Sequence, residues 1–108
     1  MTIYCFDLDG TLCNTDGSDY EASTPKAHRI VLVNRLYNQG HYVKIFTARG
    51  GTSGRDWSKL TRSQLQEWGV LHHELILGKP AADIYVDDKA SSDLAFFSQT
   101  DSEQELSN

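Results

Sequence analysis

Two aspartates two positions apart, Asp7 and Asp9, close a short apolar run and are followed by Gly10 and Thr11. Carboxylates at the end of a buried strand suit proton transfer, nucleophilic attack or the holding of a cation. Gly10 lets the backbone turn sharply beside them. A lone D-x-D-G also describes an ordinary polar turn carrying two acids. The rest of the set points toward chemistry: a hydroxyl at Thr47, a cation at Lys79 and a second acidic pair at Asp87 and Asp88. Arg49 directly follows Thr47-Ala48, where a guanidinium could meet a substrate carboxylate or phosphate through two bonds, or form a structural ion pair.

These residues need elements to bring them together, and the apolar periodicity supplies them. Ile3-Tyr4-Cys5-Phe6 reads as a strand buried on both faces. Residues 13–23 are polar and read as a loop or small hairpin. Thr24-Pro25 is a helix-start pair, with Ile30, Val33, Leu36 and Tyr37 at helical spacing behind it and Gly40 at the end. Tyr42 to Phe46 reads as a second strand, Gly50 to Gly54 as a flexible loop, and Trp57, Leu60, Leu65 and Trp68 as the stripe of a second helix. Leu75-Ile76-Leu77 and Ile84-Tyr85-Val86 read as third and fourth strands, with a short helix around 94–97. Residues 99–108 contain three acids and little to bury, and are expected to fray or be disordered.

Strands alternating with helices predict an α/β, Rossmann-like domain over residues 1–98, with a parallel sheet and helices on both faces. Right-handed crossovers carry strands two and three to one side of strand one, and a return to the other side gives the order 3-2-1-4. Ligands in such sheets bind outside the carboxyl ends of the strands, which is where Asp7, Asp9, Thr47, Asp87 and Asp88 fall.

Phe6-Asp7-Leu8-Asp9-Gly10-Thr11-Leu12, Phe46-Thr47-Ala48-Arg49, Gly78-Lys79-Pro80 and Val86-Asp87-Asp88-Lys89 resemble, in order, the four signature motifs of the haloacid dehalogenase (HAD) superfamily. The resemblance covers residues 1 to about 97. Within it, the stretches 77–80 and 85–90 resemble the small phosphatases encoded with capsular-polysaccharide biosynthesis genes. The resemblance implies a phosphatase in which Asp7 attacks phosphorus to form an aspartyl-phosphate. Asp9 would protonate the leaving alkoxide and then deprotonate the hydrolytic water. It implies Mg²⁺ held by Asp7, the carbonyl of Asp9 and an acid of the fourth motif, Asp88 by preference over Asp87. Thr47 and Lys79, with Ala48 and Arg49 beside them, would bind the phosphoryl oxygens. Dehalogenases of the superfamily lack the second aspartate, so Asp9 favours phosphatase chemistry.

Other chemistry-bearing residues read more plainly. Trp57 and Trp68 belong to a packing stripe, His72-His73 to a surface turn, Cys5 to the core, while Cys13 is the more accessible cysteine. Asp93 reads as an outer acid of the site or as a helix N-cap.

About a dozen residues separate Leu12 from Thr24, and the interval from Thr47 to Lys79 is filled by one loop, one helix and one strand. No cap domain fits, so the site should be open, covered only by loops 13–23 and 50–54 or by a neighbouring copy in a homo-oligomer. In 108 residues there is room for one domain. Hydrophobic residues at 39% and a net charge of −5 suit a soluble chain without a long nucleic-acid track. No apolar run is long enough for a membrane span, and two cysteines fit a reduced, cytoplasmic setting. The expected substrate is a phosphorylated small molecule, a sugar phosphate first. The alternatives are a nucleotide or a polynucleotide 3′-phosphate end, and, outside catalysis, a silent binding module. A signalling receiver domain fits poorly, because its phospho-acceptor would follow strand three, which here ends in Gly78.

Overall fold

The computed structural model describes residues 1–51 and 54–107, so Thr52 and Ser53 of the glycine-rich loop and Asn108 of the tail lie outside the described residues. The first apolar run forms strand β1 (Ile3–Asp7). Cys13–Asn14 (β2) and Thr24–Pro25 (β3) pair antiparallel. Helix α1 (Ala27–Asn38), strand β4 (Tyr42–Thr47), helix α2 (Ser58–Glu67) and strand β5 (Glu74–Leu77) follow, then α3 (Asp93–Phe96) and α4 (Ser98–Ser107). The helix start expected at Thr24-Pro25 therefore lies two residues later. A residue before proline is confined to extended backbone, and Thr24 uses that conformation to pair with Asn14.

The sheet is parallel, in the order β1-β4-β5, with Phe6 opposite Ile45 and Ile45 opposite Leu75. This is the 3-2-1 portion of the expected order. The fourth strand does not form. Ile84 and Val86 are 79% and 95% exposed and belong to no ladder, which leaves β1 at the edge. The segment folds on itself instead: the Tyr85 hydroxyl donates to the Pro80 carbonyl, and the Lys79 ammonium sits 4.3 Å over the Tyr85 ring. Three apolar residues are too few to specify a strand against such local contacts.

Alternation along the strands separates the two faces. Val43, Ile45 and Thr47 are fully buried, and Tyr4 and Phe6 of β1 lie in register on the same side. Against that side pack Ile30 and Val33 of α1, Leu65 of α2 and Phe97. The other side carries Cys5, Lys44 and Glu74 in register, with Cys5 exposed and Lys44 paired to Glu74 at 3.6 Å. Two right-handed crossovers stepping in one direction put both of their helices on one face, so the helices expected on both faces gather on one. The cysteine expectations reverse: Cys5, on the uncovered side of the sheet, is exposed, and Cys13, in β2, is fully buried. Among the described residues no helix is long and apolar enough to cross a membrane.

The acidic tail is a helix rather than a frayed end. Asp101 of α4 accepts two bonds from Arg29, at 2.7 and 3.1 Å, and a third contact from His28 at 2.8 Å. Arg29 above all holds the Asp101 carboxyl down to about 2. A carboxyl depressed in the folded state contributes stability above its ordinary pKa and loses it as pH falls toward the depressed one. Acid unfolding should therefore steepen between about pH 4 and pH 2, and Asp101→Asn should remove that steepening in a circular-dichroism titration. An unchanged acid limb in the variant would refute the assignment.

Candidate functional site

Residues 7–12 form a loop whose two faces differ in kind. Leu8 and Leu12 are fully buried, and the Leu8 carbonyl accepts the N–H groups of Thr11 and Leu12 at 3.1 and 2.8 Å. Gly10 makes this turn at φ 85°, a conformation a side chain would strain. With the leucines anchored inward, Asp7 and Asp9 are left at the carboxyl end of β1, partly open to solvent.

The two carboxylates have different surroundings. Asp7 Oδ1 lies 3.3 Å from the Lys79 ammonium, and Oδ2 accepts the Thr11 hydroxyl at 3.0 Å. Lys79 is placed by the end of β4: the Thr47 carbonyl accepts the N–H groups of both Gly78 and Lys79 at 3.1 Å. Asp9 is clamped by Arg49, whose Nε and Nη2 donate to its two oxygens at 3.0 and 2.8 Å. Thr15 adds a hydroxyl at 2.6 Å. Burial pushes the Asp9 carboxyl up, but the bonds from Arg49 and Thr15 outweigh it and hold the group below the usual carboxylate range.

Arg49 does not meet the substrate position with a free fork. Each of its three nitrogens donates within the protein, Nη1 to Gln64 at 2.6 Å and to Thr61 at 3.1 Å. Its guanidinium also lies 4.8 Å from the centre of the Tyr20 ring, and Gln64 in turn donates to the Tyr20 carbonyl at 2.6 Å. The structure thus gives Arg49 the ion-pair role and makes it the strut between Asp9, α2 and loop 13–23.

A cleft of about 270 Å³ opens at this edge, lined by Asp7, Asp9, Tyr20, Ala48, Lys79 and Tyr85 among others. A hollow of about 400 Å³ beside Tyr37, Leu65 and His72 contains none of these groups. Thr47 is fully buried; its hydroxyl accepts the Arg49 N–H at 3.1 Å and is not part of the cleft lining. Asp87 and Asp88 are exposed, and Asp87 accepts the Lys89 N–H at 2.7 Å. Asp93 neither caps nor joins the site: Ser92 caps α3, while Asp93 pairs with Arg29 at 2.8 Å. His73 lies exposed in the bend before β5, as expected of a surface turn, and there stacks between Tyr37 and Tyr42 and accepts the Val43 N–H.

For Mg²⁺ the relevant question is the donor chemistry. Among the described residues no three His, Cys, Asp or Glu side chains gather as a metal cluster. Mg²⁺ does not need one, because it keeps several waters and binds through one or two carboxylates plus substrate phosphate. Asp7, a partly exposed hard-oxygen donor at the cleft, fits that demand together with the Asp9 carbonyl. The acid expected from Asp87-Asp88 is not gathered with them.

Thr11, Thr15, Gln64 and Tyr20 escaped the sequence analysis as site residues. Thr11 stood inside the first motif and could have been read as a donor to Asp7. Gln64 and Tyr20 gave no signal, since each reaches the acids only through Arg49.

No protein-family model matches the chain, and no curated protein matches it. Among solved structures it is similar to a structural-genomics target from Vibrio cholerae, at 24% identity and a TM-score of 0.77 over all of both chains. It is also similar to a chain of a Pnkp1/Rnl/Hen1 complex, at 19% identity and a TM-score of 0.57, covering 88% of this chain and 33% of that one. A chain of the Pnkp1/Rnl/Hen1 RNA repair complex matches at 16% identity and 0.57, covering 95% and 31%. The protein thus spans about a third of the length of the last two. These likenesses establish a shared fold.

Proposed function

We propose that the protein is a Mg²⁺-dependent phosphomonoesterase of the HAD type, acting through an aspartyl-phosphate on Asp7, with a sugar phosphate as its first-choice substrate. The observation that carries this reading is the setting of Asp7, between the Lys79 ammonium at 3.3 Å and the Thr11 hydroxyl at 3.0 Å, with Asp9 beside it in one cleft. An aspartate bonded in this way through Oδ2 presents Oδ1 for in-line attack on phosphorus. Lys79 binds the phosphoryl oxygens as negative charge develops. The bonds from Arg49 and Thr15 keep Asp9 ionised, which suits it to take a proton from the water that later cleaves the acyl phosphate. To protonate the departing alkoxide it must first gain a proton and loosen the Arg49 clamp as the substrate binds. Mg²⁺, which Asp7 and the Asp9 carbonyl would hold together with waters, would supply neutralising charge between the nucleophile and the phosphate.

The two cations lining the cleft, Lys79 and Arg49, are both engaged with acids. A substrate with one phosphate and an uncharged remainder suits this better than a polyanion. The likeness to the Pnkp1 complex chains favours one second reading, removal of a terminal 3′-phosphate from a polynucleotide. A panel of hexose phosphates, nucleotides and 3′-phosphorylated oligonucleotides separates the two. Hexose phosphates should turn over fastest; chelation should lower the rate about tenfold or more, with recovery in Mg²⁺ but not in Ca²⁺, whose higher coordination number disturbs in-line geometry. Undiminished hydrolysis in chelator would remove Mg²⁺ from the proposal, and no hydrolysis of any member would remove the phosphatase.

A further inference from the structure

Arg29 is the most deeply buried cation that the reaction above does not use. It is 2% exposed and lies in the first turn of α1, far in sequence from every group it binds. A buried guanidinium is costly unless its donors are satisfied, and here each nitrogen is engaged. Nε and Nη2 donate to Asp101 of α4, at 3.1 and 2.7 Å. Nη1 donates to Asp93 at 2.8 Å and to the Thr11 carbonyl at 3.0 Å. The Phe97 ring, 1% exposed, lies 4.8 Å from the guanidinium carbon and closes the site from the α3–α4 junction.

Thr11 is the residue whose hydroxyl donates to Asp7 Oδ2. A continuous chain of hydrogen bonds therefore runs from α4 to the proposed nucleophile: Asp101 to Arg29, Arg29 to the Thr11 carbonyl, and the Thr11 hydroxyl to Asp7. We propose that Arg29 is a positioning residue for Asp7, and that α4 acts through it to hold the catalytic loop in register. This rests on the reading of Asp7 as nucleophile. Arg29 holds the Thr11 carbonyl at 3.0 Å, while the N–H of the same peptide is held by the Leu8 carbonyl at 2.8 Å. Without Arg29 that peptide keeps only its inner anchor and is free to tilt. The Thr11 hydroxyl then no longer fixes the plane of the Asp7 carboxylate. Misplacement of a reacting group by about 1 Å can cost about 10²-fold in rate.

The test compares Asp101→Asn and Arg29→Lys with Val70→Ala, a core truncation outside this chain of bonds. Asp101→Asn weakens the grip while keeping the shape of the carboxyl, and Arg29→Lys keeps the charge but loses the fork. Three quantities are read: melting temperature, kcat and KM for p-nitrophenyl phosphate, and amide hydrogen exchange at Thr11 and Leu12. Both relay variants should lose about 10- to 100-fold in kcat with KM little changed, and exchange at Thr11 and Leu12 should accelerate. Val70→Ala should lower the melting temperature by a similar amount and leave kcat and those two amides as in the wild type. Exchange at Thr11 that is unchanged in Asp101→Asn, or loss of kcat in Val70→Ala to the same degree at matched stability, would overturn the proposal. The exchange measurement does not depend on turnover. A wild-type protein that hydrolyses nothing removes the phosphatase reading, whereas the behaviour of Thr11 decides the linkage to α4.

Discussion

Asp7→Asn is expected to reduce turnover of p-nitrophenyl phosphate to background, a loss on the order of 10⁴–10⁶-fold, the scale on which removal of a nucleophile acts. The fold should survive. Asp7 is partly exposed at the mouth of the cleft, and its ion pair with Lys79 is of the kind worth about 0–1 kcal/mol. The amide oxygen of asparagine still accepts the Thr11 hydroxyl, so the loop keeps its bond. The melting temperature should therefore fall by no more than about 8 °C, the equivalent of about 1 kcal/mol in a chain of this size. Mass spectrometry of acid-quenched wild-type reactions should show one added phosphoryl group on the peptide containing Asp7, and the variant should show none. Wild-type-like activity in Asp7→Asn would dispose of the covalent mechanism.

On the proposed mechanism Asp9→Asn should fail in a different way, because Asp9 would there move protons and make no bond to phosphorus. Its loss should depend on the leaving group. A sugar alkoxide needs a proton as it departs and p-nitrophenolate does not, so the rate should fall about 10²–10⁴-fold further with the sugar phosphate than with the aryl phosphate. The backbone carbonyl of residue 9 is retained, so the Mg²⁺ concentration for half-maximal activity should be little changed. Arg49 imposes a second cost. Its side chain is fully buried, and the substitution leaves it facing a neutral amide in place of a carboxylate. A destabilisation of about 1–3 kcal/mol follows from weakening such a bonded charge, so the rates must be compared well below the variant's melting temperature. Equal losses on both substrates would show that Asp9 is not the leaving-group acid. Accumulated phosphoryl-enzyme would then assign it to the hydrolytic step.

Much of the site was legible in the chain because its parts are local. The segment from Asp7 to Thr11 combines an apolar strand, two acids and a turn glycine, and each of those properties belongs to residues adjacent in sequence. Leu8 and Leu12 bury themselves whatever lies opposite, and that alone sends Asp7 and Asp9 outward. Lys79 could be placed for a similar reason, since it follows the apolar run of β5 and its N–H meets the end of β4.

What the sequence left open or missed lay where two distant segments had to compete. Arg49 carries the same charge whether it meets a phosphate or a carboxylate, and the choice fell to Asp9, 40 positions away, with Gln64 and Thr61 taking its remaining donors. Ile84-Tyr85-Val86 has the composition of a strand, but the Tyr85–Pro80 and Tyr85–Lys79 contacts hold it as an exposed loop and leave β1 at the edge. The acidic tail has too few apolar residues to fold alone. Its helix carries Asp101, which meets the buried Arg29, a partner 72 positions earlier that no local pattern could announce.

The sequence by itself therefore determined the α/β pattern, the parallel strands and the acids at their carboxyl ends, because periodicity and turn chemistry act over a few residues. Only the tertiary structure decided which cation faces which acid, which face of the sheet is covered, and that Arg29 joins the C-terminal helix to the loop carrying Asp7 and Asp9. A charged side chain is indifferent in sequence to its partner; burial makes the pairing obligatory, and burial exists only once the chain has folded.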